Sequence, residues 1–245
     1  FLKKEYVVYA LRFNLPLLAY YFSQMIFNSS DKIMIEKLAG IDQSAMYSVA
    51  HNLALILTFV LNAINNSYVP RLYNKIETKK IIENRKISIY IVILMCTLVG
   101  GIIWIAPELI SLMAAPAYKE AVYAIAPIAC SLIVLLYTQF AVNIQFFYEK
   151  KIGMIIASII AAIINIVLNY IFIPKLGYIA AGYTTLASHF VFSLLNYLFI
   201  VKYLKKDGQL YGVMNIWAML ILLIAFFGVA YLGVGLYNYP IARYS

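Results

Sequence analysis

The chain is written as long apolar runs separated by short polar segments. Seven runs stand out, at 10–33, 46–69, 87–105, 122–147, 152–173, 178–201 and 213–236. About 20 helical residues cross the hydrocarbon core of a bilayer, so each run has the length of a spanning helix. Hydrocarbon offers backbone N–H and C=O groups no partner, and the runs are about twice as long as barrel strands. The pattern therefore predicts an all-α integral membrane protein of about seven transmembrane helices.

Polar residues inside the runs recur at helical spacing. In the first, Asn14, Tyr21, Gln24, Asn28 and Asp31 are separated by steps of 7, 3, 4 and 3, which keeps them on one face. The second repeats the device with His51, Asn62, Asn65 and Asn66, the fifth with Ser158, Asn165 and Asn169, and the sixth with Thr185, His189, Ser193 and Asn196. Two readings follow. Such groups join membrane helices by hydrogen bonds worth about 0.6 to 2 kcal/mol each. Stripes that run the depth of four helices also suit the wall of a shared wet cavity, and that is the expectation adopted.

Ionisable groups at membrane depth are functional hypotheses by default. His51 and His189 lie well inside their runs, while Asp31 falls at the end of the first, beside Lys32. Asp31 is open to two roles, ion coupling or an interfacial ion pair with snorkelling.

Composition and charge sharpen the picture. The chain is 64% hydrophobic and 12% charged, with a mean hydropathy of +0.87, far from a soluble profile in which about a quarter of residues are charged. The net charge of +9 would suggest nucleic acid in a soluble protein, but here the cations sort by membrane face. Fourteen Lys and Arg precede or open run one or fall between runs two and three, four and five, or six and seven. Five, namely Lys32, Lys37, Lys119, Lys175 and Arg243, occupy the opposite set. The positive-inside bias puts the amino end in the cytoplasm and the carboxyl end outside. Cys96 and Cys130 fall within runs, where a thiol is a small apolar filler. Many of the 22 tyrosines belong to interfacial belts.

No catalytic class is indicated. The chain lacks an H-E-x-x-H, a Cys/His metal spacing, a G-x-S-x-G, a Gly-rich phosphate loop and a carboxylate pair placed for acid/base work. No metal or cofactor is expected. The segments 107–121 and 174–177 are too short for a catalytic domain, and Glu108 and Glu120 are their only carboxylates.

Several stretches resemble one family in order and spacing. They are Ser30-Asp31-Lys32-Ile33-Met34-Ile35, Gly40, and Ala45-Met46-Tyr47-Ser48-Val49-Ala50; then Asn66-Ser67-Tyr68-Val69-Pro70-Arg71-Leu72; then Ala106-Pro107-Glu108-Leu109-Ile110 with Ala117-Tyr118-Lys119-Glu120-Ala121; then residues 173–186, from Ile173-Pro174 to Thr185-Leu186. Together, over about residues 5 to 205, they resemble the carboxyl-terminal lobe of bacterial oligosaccharide flippases, polysaccharide biosynthesis proteins of the multidrug/oligosaccharidyl-lipid/polysaccharide exporter superfamily.

The resemblance implies a six-helix lobe over 1–205, helices seven to twelve of a two-lobe transporter, with a thirteenth helix in 206–245 and a fourteenth beyond. It implies a multi-pass protein of the bacterial inner membrane. Its activity would be alternating-access transfer of undecaprenyl-diphosphate-linked oligosaccharide to the outer leaflet, for capsule, O-antigen or another surface polysaccharide. The implied partners are that lipid-linked substrate, membrane lipids, an amino-terminal lobe and polysaccharide assembly proteins, with no nucleic acid. Asn14, Tyr21, Gln24, Asn28, His51, Asn62, Asn66, Asn165, Asn169 and His189 are then candidates for the substrate path. Arg12 and Arg71 are candidates for the diphosphate, against plain positive-inside anchoring. A multidrug exporter of the same superfamily is the alternative and would be expected to hold a buried carboxylate. An integral-membrane polymerase or ligase would need a large outer loop, which the chain lacks.

Overall fold

The computed structural model describes residues 3–206 and 216–237, and among them every regular element is helical. In chain order these are α1 (Lys4–Ala39), α2 (Ile41–Glu77), a 3-10 turn (Ile81–Glu83), α3 (Asn84–Trp104), α4 (Ala106–Met113), a second 3-10 segment (Pro116–Ala121), α5 (Val122–Phe147), α6 (Ile152–Leu176), α7 (Tyr178–Lys206) and α8 (Ile216–Gly235). The all-α, membrane-spanning class expected from the runs is what the chain forms.

Among the described residues five segments, rather than seven, are long and apolar enough to cross a bilayer: Ile41–Glu77, Ile81–Trp104, Pro116–Phe147, Ile152–Leu176 and Tyr178–Lys205. α8 contributes a shorter apolar helix, Leu220–Gly235, because the seventh run begins at 213, outside the described residues. The boundaries also move. α1 and α2 have 36 and 37 residues, well beyond the apolar runs that announced them, since helical hydrogen bonding continues through the polar ends. The segment at 107–121, expected as a loop, contains α4 and the second 3-10 segment.

α5 is the centre. Of its best apolar stretch 89% is buried, because α2, α3, α7 and α8 all pack on it. Cys130 lies inside this packing as a free thiol, and Cys96 on α3 is partly covered. α6 packs on α7, and α1 closes against α6 and α2. The outer faces carry Ile93, Leu94, Ile163, Val167, Leu194, Leu198 and Leu220, the apolar surface that lipid would cover.

Two glycine turns fix the depth of the functional groups. Gly40 joins α1 to α2 at φ 99° and donates its N–H to the carbonyls of Ile35 and Glu36 at 3.1 and 3.2 Å. Gly177 joins α6 to α7 at φ 65° and donates to Ile173 at 2.9 Å. A side chain at either would be strained in this left-handed region. Gln43 ties the two turns together: its Oε1 accepts the Tyr178 N–H at 3.2 Å, and a Cβ on Gly177 would sit 2.7 Å from it. The hairpins α1–α2 and α6–α7 therefore stand side by side with their turns level.

Candidate functional site

Level turns bring equal depths together. Asp31, Tyr47, Asn169 and Thr185 each lie seven to nine residues from Gly40 or Gly177. At 1.5 Å per residue that places all four about 12 Å below the turns. They meet. Asp31 Oδ2 accepts the Tyr47 hydroxyl at 2.8 Å and the Thr185 hydroxyl at 2.5 Å, while Oδ1 accepts the Asn169 amide at 2.7 Å. Asn165 extends the cluster, donating to Thr185 Oγ1 at 3.2 Å and accepting from Asn169 at 3.2 Å and from Ser30 Oγ at 3.1 Å. Thr184 Oγ1 donates to Asn169 Oδ1. Four helices, α1, α2, α6 and α7, are thereby tied at one carboxyl group.

The cluster is closed to its surroundings. Asp31 is 3% exposed, and Asn165 and Asn169 are 0%. Its partners are all neutral. Of the two roles open for Asp31, the structure shows no ion pair with Lys32. α1 runs eight residues past it to Ala39, so the side chain points into the helix junction while Lys32 lies on another face. A buried carboxylate without a counter-charge is costly, and a proton or a bound cation relieves the cost. The geometry suits exchange between states. The Tyr47 and Thr185 hydroxyls donate to an ionised Oδ2, and by rotation one of them accepts the proton of a protonated one. Asn169 holds Oδ1 in either state.

The polar stripes divide into two groups. Those of α6 and α7 are sealed except at Ser193, which is half-buried. Asn165 and Asn169 belong to the Asp31 cluster, Ser158 Oγ donates to the Ile155 carbonyl at 2.8 Å, and Asn196 takes the Gln145 amide at 2.7 Å. His189 is buried, with Nδ1 2.9 Å from the Thr185 carbonyl, to which it donates, and its ring edge-on to Phe27 at 4.6 Å between centroids. Those of α1 and α2 are mostly open: Asn14, Tyr21, Asn62 and Asn66 are exposed, and Gln24 is half-buried. Where four helices were expected to share one polar wall, two leave polar side chains exposed and two turn theirs to neighbouring helices. The reason is the packing of α6 between α1 and α7, which covers the inward faces of both.

Three further placements matter. His51 is half-buried, one turn along α2 from Tyr47, with its ring centroid 6.0 Å from the Tyr47 ring and its Nδ1 enclosed without a hydrogen-bond partner. Asn65 accepts the Asn143 amide of α5 at 2.8 Å, a helix-to-helix bond. Arg71 opens on a groove between α2 and α3, nine residues from Asn62 and therefore about half a turn round the helix from it. The side chains of Arg12 and Asn28 lie outside what the structure describes.

Sequence reasoning missed Tyr47, Ser30 and Thr184. Tyr47 enters the sequence analysis only within the stretch that carries the resemblance, although its distance from Gly40 nearly mirrors that of Asp31 across the turn. That symmetry was a usable signal.

Comparison with known proteins gives one distant relative to report. The chain is 28% identical over 102 residues to Lsg locus protein 1 of Haemophilus influenzae. The match covers 41% of this chain and 25% of that protein, so a quarter of the relative's length is represented. No family profile matches the chain, and no solved structure does.

Proposed function

We propose that this chain is a lobe of a membrane flippase that transfers lipid-linked oligosaccharide between leaflets, with Asp31 as its ion-coupling group. The observation that carries the reading is the Asp31 carboxylate itself, buried where four helices meet and bonded only to neutral donors. A static bundle gains little from such a group, because an apolar residue of similar size would pack at lower cost. A transporter gains a switch. Loss or gain of a proton or cation at Oδ2 changes the hydroxyl bonds of Tyr47 and Thr185 and so biases how α2 and α7 sit against α1.

The uncovered stripe supplies the path. Asn62, Asn66 and Tyr21 present amide and phenol groups suited to sugar hydroxyls, and the ordered stretches that resemble oligosaccharide flippases support the same cargo. The Haemophilus relative's name assigns a locus and no activity, and is compatible with this reading.

A multidrug exporter is the second reading. The buried carboxylate favours it, since cation exporters are expected to hold one. Against it, Asp31 is sealed by Tyr47, Thr185 and Asn169, away from the exposed polar face, where a cationic drug would bind. Surface glycan in a deletion strain complemented with Asp31→Asn, Asp31→Glu or the natural protein tests the proposal. The Asn variant should lose glycan at normal abundance and the Glu variant should retain part of it. Full glycan with the Asn variant, or drug sensitivity as the sole defect, would reject the flippase reading.

A further inference from the structure

The groove that holds Arg71 has a composition of its own. It is a cavity of about 400 Å³ between α2 and α3, lined by Ala63, Ile64, Ser67, Tyr68, Arg71, Ile87 and Ile91. Its α2 wall follows from spacing, since residues 63, 64, 67 and 71 share a face. Its polar groups are mostly spent. Ser67 Oγ donates to the Ala63 carbonyl at 3.0 Å, and Tyr68 is tied to Ser88 at 3.0 Å. What remains is an apolar trough with one guanidinium at its end.

Beyond that end lies the most basic segment of the chain. Arg71, Lys75, Lys79, Lys80, Arg85 and Lys86 stand against Glu77 and Glu83 within sixteen positions. Lys75 is engaged by Glu83, and that contact holds the Glu83 carboxyl below its ordinary range. Lys79, Lys80 and Lys86 are exposed, and Arg71 is exposed with no carboxylate paired to it among the described residues. Next to Arg85 in the chain, Asn84 is fully buried at the start of α3, and both its side-chain amide atoms lack partners.

We propose that this groove binds one anionic phospholipid of the surrounding bilayer, with its phosphate on Arg71, its headgroup among the lysines and an acyl chain along Ile64, Ile87 and Ile91. Clusters of four to eight basic residues beside a transmembrane helix attract anionic lipid, and here an apolar slot of ligand size continues from the cluster. A guanidinium supplies the bidentate donors that a phosphate takes. The occupant is a resident lipid rather than the carried one, because Arg71 faces about half a turn away from Asn62, and a cargo touching both would have to wrap round α2. The site depends on the membrane-spanning class and not on the flippase reading.

The test uses the intact protein in nanodiscs of phosphatidylcholine alone or mixed with phosphatidylglycerol, followed by native mass spectrometry of the lipid retained on the protein. One phosphatidylglycerol should stay bound to the natural protein, with Arg71→Gln weakening retention about tenfold, the loss of one charge-assisted contact. Arg71→Lys should recover part of it. Ala63→Trp, which fills the trough from an exposed position and leaves the cations in place, should also expel the lipid. Lys79→Gln should change retention less than Arg71→Gln. Equal retention by the natural protein, Arg71→Gln and Ala63→Trp would overturn the site. Retention of an added polyprenyl diphosphate in place of phosphatidylglycerol, lost with Arg71→Gln, would overturn the assignment and move Arg71 to the cargo.

Discussion

Asn165 and Asn169 on α6 and Asn62 and Asn66 on α2 have the same side chain and recur at the same four-residue spacing, yet the first pair is sealed and the second is open. The difference comes from neighbours. α6 is pressed between α1 and α7, so its stripe must find partners, and it finds them in Asp31, Thr185 and Thr184. Among the described residues nothing covers Asn62 and Asn66 on the far side of α2. A polar stripe thus reports which face is shared, and only the packing says whether the face is shared with helices or with solvent and cargo.

Accessibility should separate the two pairs most sharply. With Cys96 and Cys130 replaced, single cysteines at Asn62 and Asn66 should react with a water-soluble thiol reagent. Cysteines at Asn165 and Asn169 should not, because thiolate forms only where water reaches. Equal reactivity at all four positions would erase the distinction.

Stability comes next. Asn169→Leu removes a buried donor to Asp31 and Asn165 and leaves Thr184 with the Ala181 carbonyl alone, at a cost of about 3 kcal/mol, while Asn62→Leu should stay within about 0.5 kcal/mol. Thermal unfolding in detergent compares them, and similar midpoints would mean that the cluster holds little energy. Tyr47→Phe deletes a single hydroxyl with little change of volume and should cost about 1 to 2 kcal/mol.

These contrasts also mark how much was legible in advance. The class of fold, and the beginnings and ends of α5 and α6 to within a few residues, follow from apolar runs bounded by turn residues. The Asp31 cluster did not follow, because nothing in a periodic pattern states which helices adjoin. The two glycines did carry that information. Asp31 and Tyr47 flank Gly40, Asn169 and Thr185 flank Gly177 at matching distances, and once Gln43 makes the turns level, the four side chains have one place to meet. The sealed fate of His189 was not legible either, since the Phe27 ring that covers it comes from another helix.

The smallest effect lies at the basic rim. Glu83 is held below its ordinary range by Lys75 and is fully exposed, so its contribution is present above the normal carboxylate range and fades as pH falls through the lowered value. Lys75→Met should move the Glu83 titration up toward the ordinary carboxylate range, with Lys80 and Arg71 still holding it down, as followed by NMR of a carboxyl-labelled sample, without a measurable change in unfolding temperature. A large loss of stability would show that the rim is part of the structural core, unlike the open stripe.

The central claim is that Asp31 couples transport to an ion. Purified protein in liposomes, supplied with lipid-linked oligosaccharide under an imposed proton or sodium gradient, tests it most directly. Transfer by the natural protein should rise with one of the gradients, while Asp31→Asn, which keeps the size of the side chain and cannot ionise, should give a rate indifferent to both. The same gradient dependence in Asp31→Asn as in the natural protein would contradict the claim and leave Asp31 as a structural knot between four helices.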